Sequence, residues 1–222
     1  MEGIRVLTIS GRDAVSRLDD LRRDYARTGL YPVLFGNRDE LALIEEGYGA
    51  NESDTPQAII AESWEIDIQQ WMKDRIEQDP EYYQLIHGPW PTDPFPPAEI
   101  MTLRDHNGIL KDPVFVGLVP VQQPWETFAW LRWGGWNDCP LPAVQCAMHR
   151  HWQEQFSTEV VSITGDVTES KVGRPPQDRE AALSLASEQF YYCGDLVRQG
   201  LGSIEALAAS LIGAPYWYFW WD

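Results

Sequence analysis

The fold class is decided by the stretch EVVSITGDVTESKV, which occupies residues 159–172. Strand-favouring residues fill 159–164 and 167–172, and Gly165-Asp166 between them suits a tight turn. Two short strands joined in this way pair as an antiparallel hairpin. We therefore expect a sheet in which these two segments are antiparallel neighbours.

Helices and a final aromatic segment surround the hairpin. Apolar spacing predicts helices over 141–156 and 178–192, and Ser203 is a suitable N-cap for another one. The chain closes on PYWYFWWD, residues 215–222, in which alternate aromatic side chains point to opposite faces of a strand. Because an exposed strand of this composition invites aggregation, we expect it inside the sheet or docked under a helix.

The N-terminal segment predicts a strand, a helix and a second strand. Residues 4–9 and 30–36 are β-rich, and a helical apolar pattern between them ends at Thr28-Gly29. The glycines of this β-α-β unit do not form the G-x-G-x-x-G pattern of a dinucleotide site. Residues 114–121 predict a buried strand, and the alternation in 126–133 predicts another. The expected class is α+β, with a mixed, largely antiparallel sheet and flanking helices.

An acidic segment separates these two parts. Residues 37–112 hold 17 Asp or Glu against 5 Lys or Arg, a difference of −12. One helix is predicted from Asp54-Thr55-Pro56 to Asp79-Pro80, and five prolines in 88–97 predict an irregular connection. We divide the chain into an N-terminal unit (1–36), an acidic helical and Pro-rich insertion (37–112) and a Trp-rich core (113–222). The first and last form one composite domain in this interpretation.

The overall charge limits the choice of partner. The 222 residues include 34 acidic and 17 basic ones, a net charge of −17 that repels phosphate backbones and anionic lipids. We expect no nucleic-acid and no membrane partner, and a basic protein as the electrostatically suitable one. Three cysteines, the lack of a signal-peptide pattern and the lack of a long apolar run predict a cytoplasmic location. No cofactor is expected, and no oligomeric state is predicted.

Several distinctive motifs lie on either side of the acidic segment. The N-terminal motif is TGLYPVLFG, residues 28–36, and the central one is GGWNDCP, residues 134–140. The closing pattern includes Arg174-Pro175-Pro176 and WYFWWD at 217–222. These motifs resemble those of an uncharacterised bacterial family, the domain of unknown function 4253, and the resemblance implies homology and a bacterial origin. It implies no activity, and it leaves the acidic segment without a counterpart.

The loop from Trp136 to Pro140 carries the most reactive combination of side chains. Asp138 could accept a proton and Cys139 could attack an electrophile, next to a helix N-terminus that favours anions. Alternatively, Asn137 or Asp138 caps the following helix, which is the role their residue types favour at this position. Capping is the preferred interpretation.

Histidines and cysteines nearby suggest weaker alternatives. Cys139 could pair with His149 or His106 as a nucleophile and base, although the sequence does not show which side chains meet. Cys146, His149 and His151 offer zinc ligands, but their spacing does not place them on one helical face. We therefore expect no metal site and assign no catalytic residue.

Two functions from different classes remain. The first is a non-catalytic acidic protein that docks a basic partner through Glu62, Glu65 and Asp74, which lie off the apolar stripe of the predicted helix. A bacterial immunity protein that neutralises a cationic toxin is one example of this class.

The alternative is a small-molecule enzyme or ligand-binding domain with a pocket near Trp136, Asp138 and Cys139. In its simplest form, Trp125, Trp133 and Trp136 line a pocket, beside Asn137, and no chemistry takes place. The two functions differ in where the binding residues lie, on the acidic helix or around the loop.

Overall fold

The computed structural model describes residues 1–50, 55–93, 95–96 and 98–222. The strands are β1 (Arg5–Ile9), β2 (Tyr31–Gly36), β3 (Val114–Val119), β4 (Thr158–Ile163), β5 (Val167–Val172) and β6 (Tyr216–Trp220). The helices are α1 (Ala14–Thr28), α2 (Arg38–Ala50), α3 (Pro56–Glu65), α4 (Ile68–Gln78), α5 (Thr127–Leu131), α6 (Pro142–Phe156), α7 (Arg179–Tyr192) and α8 (Ile204–Leu211). A π-helical turn spans Leu196–Leu201. No helix in the described part of the chain has the length and apolar character to cross a membrane.

The strands form a single six-stranded sheet in the order β1-β3-β2-β4-β5-β6. Strand β3 lies between β1 and β2 and is antiparallel to both, so the two N-terminal strands are not neighbours. Strands β2 and β4 form the parallel pair, and β4, β5 and β6 are antiparallel in succession. The predicted α+β class, with a mixed and largely antiparallel sheet, is confirmed, and so is the β4-β5 hairpin.

The two faces of the sheet carry separate hydrophobic cores. On one face, α6, α7 and α8 cover a large aromatic core centred on Trp152, Tyr192 and Phe219. On the other face, α1 and the segment around Leu103 cover a smaller aliphatic core. Burial of both faces explains why β2 and β3 are apolar at almost every position rather than at alternate ones.

Two predictions about local structure are wrong. Residues 126–133 form no strand, because Pro124–Glu126 is a 3-10 turn that leads directly into α5. Apolar side chains on every side of this segment made its period ambiguous. The predicted long helix is two helices, since the Asp67 side chain accepts a hydrogen bond from the Gln70 amide and starts α4 separately. Thr55 caps α3, whereas Asp54, also predicted at this start, lies outside the described residues.

The aromatic C-terminal segment is an edge strand and not an internal one. In β6, Trp217 and Phe219 are buried on the aromatic core, and Trp221 follows them there. Tyr218 points the other way and is 41% exposed. Of the two predicted positions, inside the sheet or docked under a helix, the structure shows the second, and packing of one face against α6 and α7 buries most of the aromatic surface.

The buried Glu169 on β5 allows the packing of the sheet against the segment at Met101 to be tested through its dependence on pH. It is fully buried, and its carboxylate accepts hydrogen bonds from the main-chain amides of Met101 and Thr102, at 2.6 and 3.1 Å. Burial raises the pKa of Glu169, against the opposing effect of these hydrogen bonds. The native state therefore holds this proton more tightly than the unfolded chain does. The resulting stabilisation is present at low pH and is lost as pH rises through the native pKa.

We expect Glu169→Gln to show this linkage in urea unfolding between about pH 4 and pH 8. The free energy of unfolding of wild type minus that of the variant should be largest at the acid end and should shrink as pH rises. Other carboxylates contribute equally to both proteins and cancel in the difference. A difference that grows with pH would contradict the assignment.

Candidate functional site

Helices α3 and α4 present the acidic side chains of the central segment. Pro56 occupies the first turn of α3, and the Thr55 hydroxyl accepts a hydrogen bond from the Ala58 amide. Ile59 of α3 and Met72 of α4 are buried against the rest of the domain. This inward packing leaves the opposite sides of the two helices facing solvent.

The exposed residues from Glu62 to Glu81, at the end of α3, along α4 and just after it, carry a strongly negative charge. Residues 62–81 contain seven acidic and two basic residues, and one of the two basic ones, Arg75, is bound to Asp138. We call the acidic set the acidic helix surface; it comprises Glu62, Glu65, Asp67, Asp74, Glu77, Asp79 and Glu81. All seven are exposed, and within the described part of the chain none forms an ion pair within 4 Å. The carboxylates predicted as binding residues, Glu62, Glu65 and Asp74, are thus exposed on two consecutive helices.

An exposed tryptophan stands between two of these carboxylates. Trp64 is 60% exposed and lies between Glu62 and Glu65 in the chain. The Arg150 guanidinium lies over its ring, 3.8 Å from the centroid, and the Trp125 ring meets it edge-on at 5.9 Å. Arg150 is itself fixed by donating a hydrogen bond to the Ser63 carbonyl oxygen, at 3.0 Å. The predicted binding residue Trp125 is buried, and its ring is in contact with the ring of Trp64.

The loop from Trp136 to Pro140 has a different role from the predicted one. Helix α6 starts at Pro142, and its N-cap residue, Leu141, forms no side-chain cap. Asp138 Oδ1 instead accepts hydrogen bonds from the Tyr83 hydroxyl, at 2.5 Å, and from Arg75 Nη2, at 2.6 Å. The capping interpretation is wrong for both residues. Asp138 binds Tyr83, 55 residues upstream in the chain, and Asn137 Nδ2 donates to the Asp222 carbonyl oxygen.

This contact joins the acidic segment to the loop. Burial raises the pKa of Asp138, while Tyr83 and Arg75 act in the opposite direction. Burial likewise raises the pKa of the Tyr83 hydroxyl. Arg75 also donates to the Asp138 carbonyl oxygen, at 3.1 Å, so the guanidinium binds both the side chain and the main chain of Asp138. These hydrogen bonds hold α4 against the loop, and they engage the Asp138 carboxylate.

The predicted pocket residues are divided between two recesses. Trp133 and Trp136 meet edge-to-face at 4.8 Å and line a cavity of about 580 Å³, together with Tyr48 of α2. Asn137 and Asp138 line a separate recess of about 370 Å³. The structure therefore does not bring Trp136 and Asp138 into one pocket.

Cys139 and His149 are connected through other side chains but do not touch. Gln145 donates a hydrogen bond to Cys139 Sγ, at 3.3 Å, and accepts one from the Tyr192 hydroxyl. The Tyr192 hydroxyl is in turn 3.1 Å from His149 Nε2. Burial raises the pKa of the Cys139 thiol and lowers the pKa of His149 to about 3. Both groups are neutral at physiological pH, so the thiol is not activated as a nucleophile.

The other candidates from the sequence are dispersed. Cys146 is buried, whereas His151 is partly exposed and lies 3.4 Å from Glu188. His106 contacts Asn107 in an exposed turn. Over residues 1–50, 55–93, 95–96 and 98–222, no three His, Cys, Asp or Glu side chains are grouped so that they could hold a metal ion.

Three residues that the sequence did not single out organise these surfaces. Arg75 and Tyr83 bind Asp138, and Arg150 holds Trp64 in place. Each partner is more than 50 residues away in the chain, and Arg75 and Arg150 occupy ordinary helix positions. Trp64 itself belongs to the apolar stripe predicted for this helix, so its 60% exposure was not visible in the sequence.

The fold defines the class of this protein as an α+β domain with a mixed six-stranded sheet and an appended acidic helix pair. The model of the family described as domain of unknown function (DUF4253) matches residues 115–222. The match covers just under half of the chain and confirms the resemblance for this part, which supplies most of β3, all of β4 to β6 and the helices of the aromatic core. Neither the curated proteins nor the solved structures gave a match.

Proposed function

We propose that this protein is a non-catalytic binding protein that docks a basic protein partner on the acidic helix surface. The observation that carries the proposal is the set of seven exposed carboxylates between Glu62 and Glu81, without ion-pair partners among the described residues, together with the exposed Trp64 that Arg150 and Trp125 contact. A protein that neutralises a cationic toxin, as an immunity protein does, belongs to this class.

Charge supplies the selectivity in this proposal. Unpaired carboxylates on one surface attract a positive partner, speed its encounter and repel acidic competitors. Arg75 does not offset them, because its guanidinium is committed to Asp138 and is only 14% exposed. Lys73 is the remaining basic residue of this stretch, so the surface keeps most of its negative charge.

Trp64 supplies the affinity. Tryptophan and arginine are the residues most often found to dominate binding energy at protein interfaces. Arg150 and Trp125 already restrict the Trp64 ring, so little side-chain entropy is lost when a partner covers it. An exposed aromatic anchor between Glu62 and Glu65 in the chain fits a basic surface that contains an apolar depression.

The experiment compares variants of the full chain as baits for proteins from its native host at low and high salt. Glu62→Gln/Glu65→Gln/Asp74→Asn should lower the association rate of a captured basic partner about tenfold at low salt. Trp64→Ala should raise its dissociation rate, because it removes the aromatic contact and keeps the charge. Both rates are measured by surface plasmon resonance with the purified partner.

The matched control removes three charges from other elements, as Glu2→Gln/Glu159→Gln/Glu180→Gln, all exposed positions. Binding through the acidic helix surface requires that this control bind like wild type. If both triple variants lost partner binding equally, net charge alone would explain the effect, and the proposal would be overturned. A partner whose capture does not change with salt would also overturn it.

A second candidate function is ligand binding in the cavity beside Trp133 and Trp136. Its volume of about 580 Å³ suits a small molecule, and the two rings offer apolar walls. Tyr48 closes one side, with the Arg132 guanidinium 4.5 Å from its ring centroid. This function would be favoured over docking if Trp136→Ala still bound the protein partner but lost a small molecule that the wild-type protein binds.

A further inference from the structure

A separate cavity lies away from the acidic helix surface and from the recesses beside Trp136 and Asp138. Its volume is about 720 Å³, within the ~300–1,000 Å³ typical of small-molecule sites. Strand β6, the π-helical turn and α8 form its walls, and the segment around Phe95 and Met101 forms its rim. The family match covers the walls but not the rim.

Aromatic rings dominate one wall of this cavity. Tyr216, Trp217, Tyr218 and Trp220 all contribute from β6, and Phe95 contributes from the rim. Leucines of α8 and of the π-helical turn, such as Leu201 and Leu207, supply the opposite wall. The π-electron faces of aromatic rings attract cations in addition to burying apolar surface.

One carboxylate in the wall has no cationic partner. Asp195 is only 8% exposed, and within the described residues no Lys, Arg or His lies within 4 Å of it. Its oxygens accept hydrogen bonds from Gln199 Nε2, at 2.9 Å, and from the Asp222 amide, at 3.2 Å. These neutral donors orient the carboxylate without cancelling its charge.

The other charges of the lining cancel each other. Arg104 donates to Glu99 through Nε and Nη2, each at 3.1 Å, so this pair contributes no net charge. Asp195 therefore leaves the cavity with a net charge of −1 among the described lining residues. A buried charge of this kind is stabilised when a charge of opposite sign comes close.

A buried amide adds a second polar group with spare capacity. Gln189 is 1% exposed and lines the cavity, and its Nε2 has no hydrogen-bond partner among the described residues. The unpaired Nε2 gives Gln189 spare donor capacity toward an acceptor on a ligand. A π-helical turn, a local structure often found at functional sites, forms the adjoining wall.

We propose that this cavity binds an apolar organic amine, with its ammonium group at Asp195 and its hydrocarbon part between the aromatic rings of β6 and the leucines of α8. The site selects a cation because the Asp195 carboxylate has no cationic partner among the described residues. It selects a ligand with an apolar body because the rest of the wall offers few polar groups. The proposal is independent of docking on α3 and α4.

The experiment uses three probes of equal size and different charge: 4-phenylbutylamine, 4-phenylbutanol and 4-phenylbutyrate. Isothermal titration calorimetry of the full chain should show that the amine binds about tenfold more tightly than the alcohol, and the carboxylate most weakly. Asp195→Asn should lower amine affinity to that of the alcohol and leave the alcohol unchanged. Equal affinity for amine and alcohol in wild type would overturn the proposal.

Two further variants control for charge and fold. Glu180→Gln removes the same charge from the first turn of α7, outside the cavity, and should keep the amine preference. Leu201→Trp places a larger side chain at a wall position that is 38% exposed, and should weaken all three probes without unfolding the core. Amine preference that survives Asp195→Asn, or binding unchanged in Leu201→Trp, would place the probes elsewhere and overturn the assignment.

Discussion

Replacement of Trp152 by alanine is expected to lower the free energy of unfolding by about 3–5 kcal/mol. Trp152 is fully buried at the centre of the aromatic core, stacked on Phe219 with ring centroids 5.2 Å apart. It also meets Tyr192 and Trp217 edge-on, at 5.0 and 5.8 Å. Alanine would leave a cavity that three rigid rings cannot fill, and urea or guanidinium unfolding would measure the loss.

The same substitution at Trp64 serves as the matched control. Trp64 is 60% exposed and contacts only a few side chains, chiefly Arg150 and Trp125. Its replacement by alanine should cost about 1 kcal/mol or less. Comparable losses for the two variants would show that the aromatic core on α6 does not dominate stability. A small effect of Trp64→Ala would also establish that a binding defect in this variant is not a folding defect.

Replacement of Gly134 by alanine is expected to destabilise the domain by more than about 3 kcal/mol, because strain and overlap act together. Gly134 has a φ of 119°, a conformation that side chains rarely adopt. A Cβ atom at this position would overlap the Pro140 carbonyl oxygen, which is main chain and cannot rotate away. That oxygen also accepts a hydrogen bond from the Gly135 amide, at 3.1 Å, so a shift would break the turn.

Gly135 separates the contribution of strain from that of overlap. Its φ of 89° is also unfavourable for alanine, but the closest atom to an added Cβ is the end of the Leu141 side chain, at 3.1 Å. Gly135→Ala should therefore cost only about 1–2 kcal/mol, the usual strain of a left-handed residue. Thermal unfolding of both variants tests the difference. Similar melting temperatures would show that close approach of the two main-chain segments is unimportant.

Local signals in the sequence were sufficient for the elements of the C-terminal half. The β4-β5 hairpin follows from β-branched residues around Gly165-Asp166, and the caps of α7 and α8 follow from Asp178 and Ser203. Such signals act over three or four residues, so they are visible in the chain itself. The same kind of signal wrongly predicted a strand over residues 126–133, because apolar residues on all sides of this segment show no single period.

The contacts of the candidate site were not visible in the same way. The sequence located Glu62, Glu65 and Asp74 on a solvated helix face, because charged residues opposite an apolar stripe face water. It did not pair Asp138 with Arg75 and Tyr83, since no local rule relates residues so far apart in the chain. The cavity at Asp195 was likewise missed, because β6, α7 and α8 form it only after they pack together.

The sequence by itself determined the class of the fold, the negative charge and the positions of most helices and strands, all of which depend on composition and near neighbours. Tertiary structure alone decided that β3 lies between β1 and β2, that β6 is an edge strand and that Asp138 binds α4 instead of capping α6. These outcomes depend on which distant surfaces bury each other best. That choice is made by the free energy of the whole packed chain and not by any short segment of it.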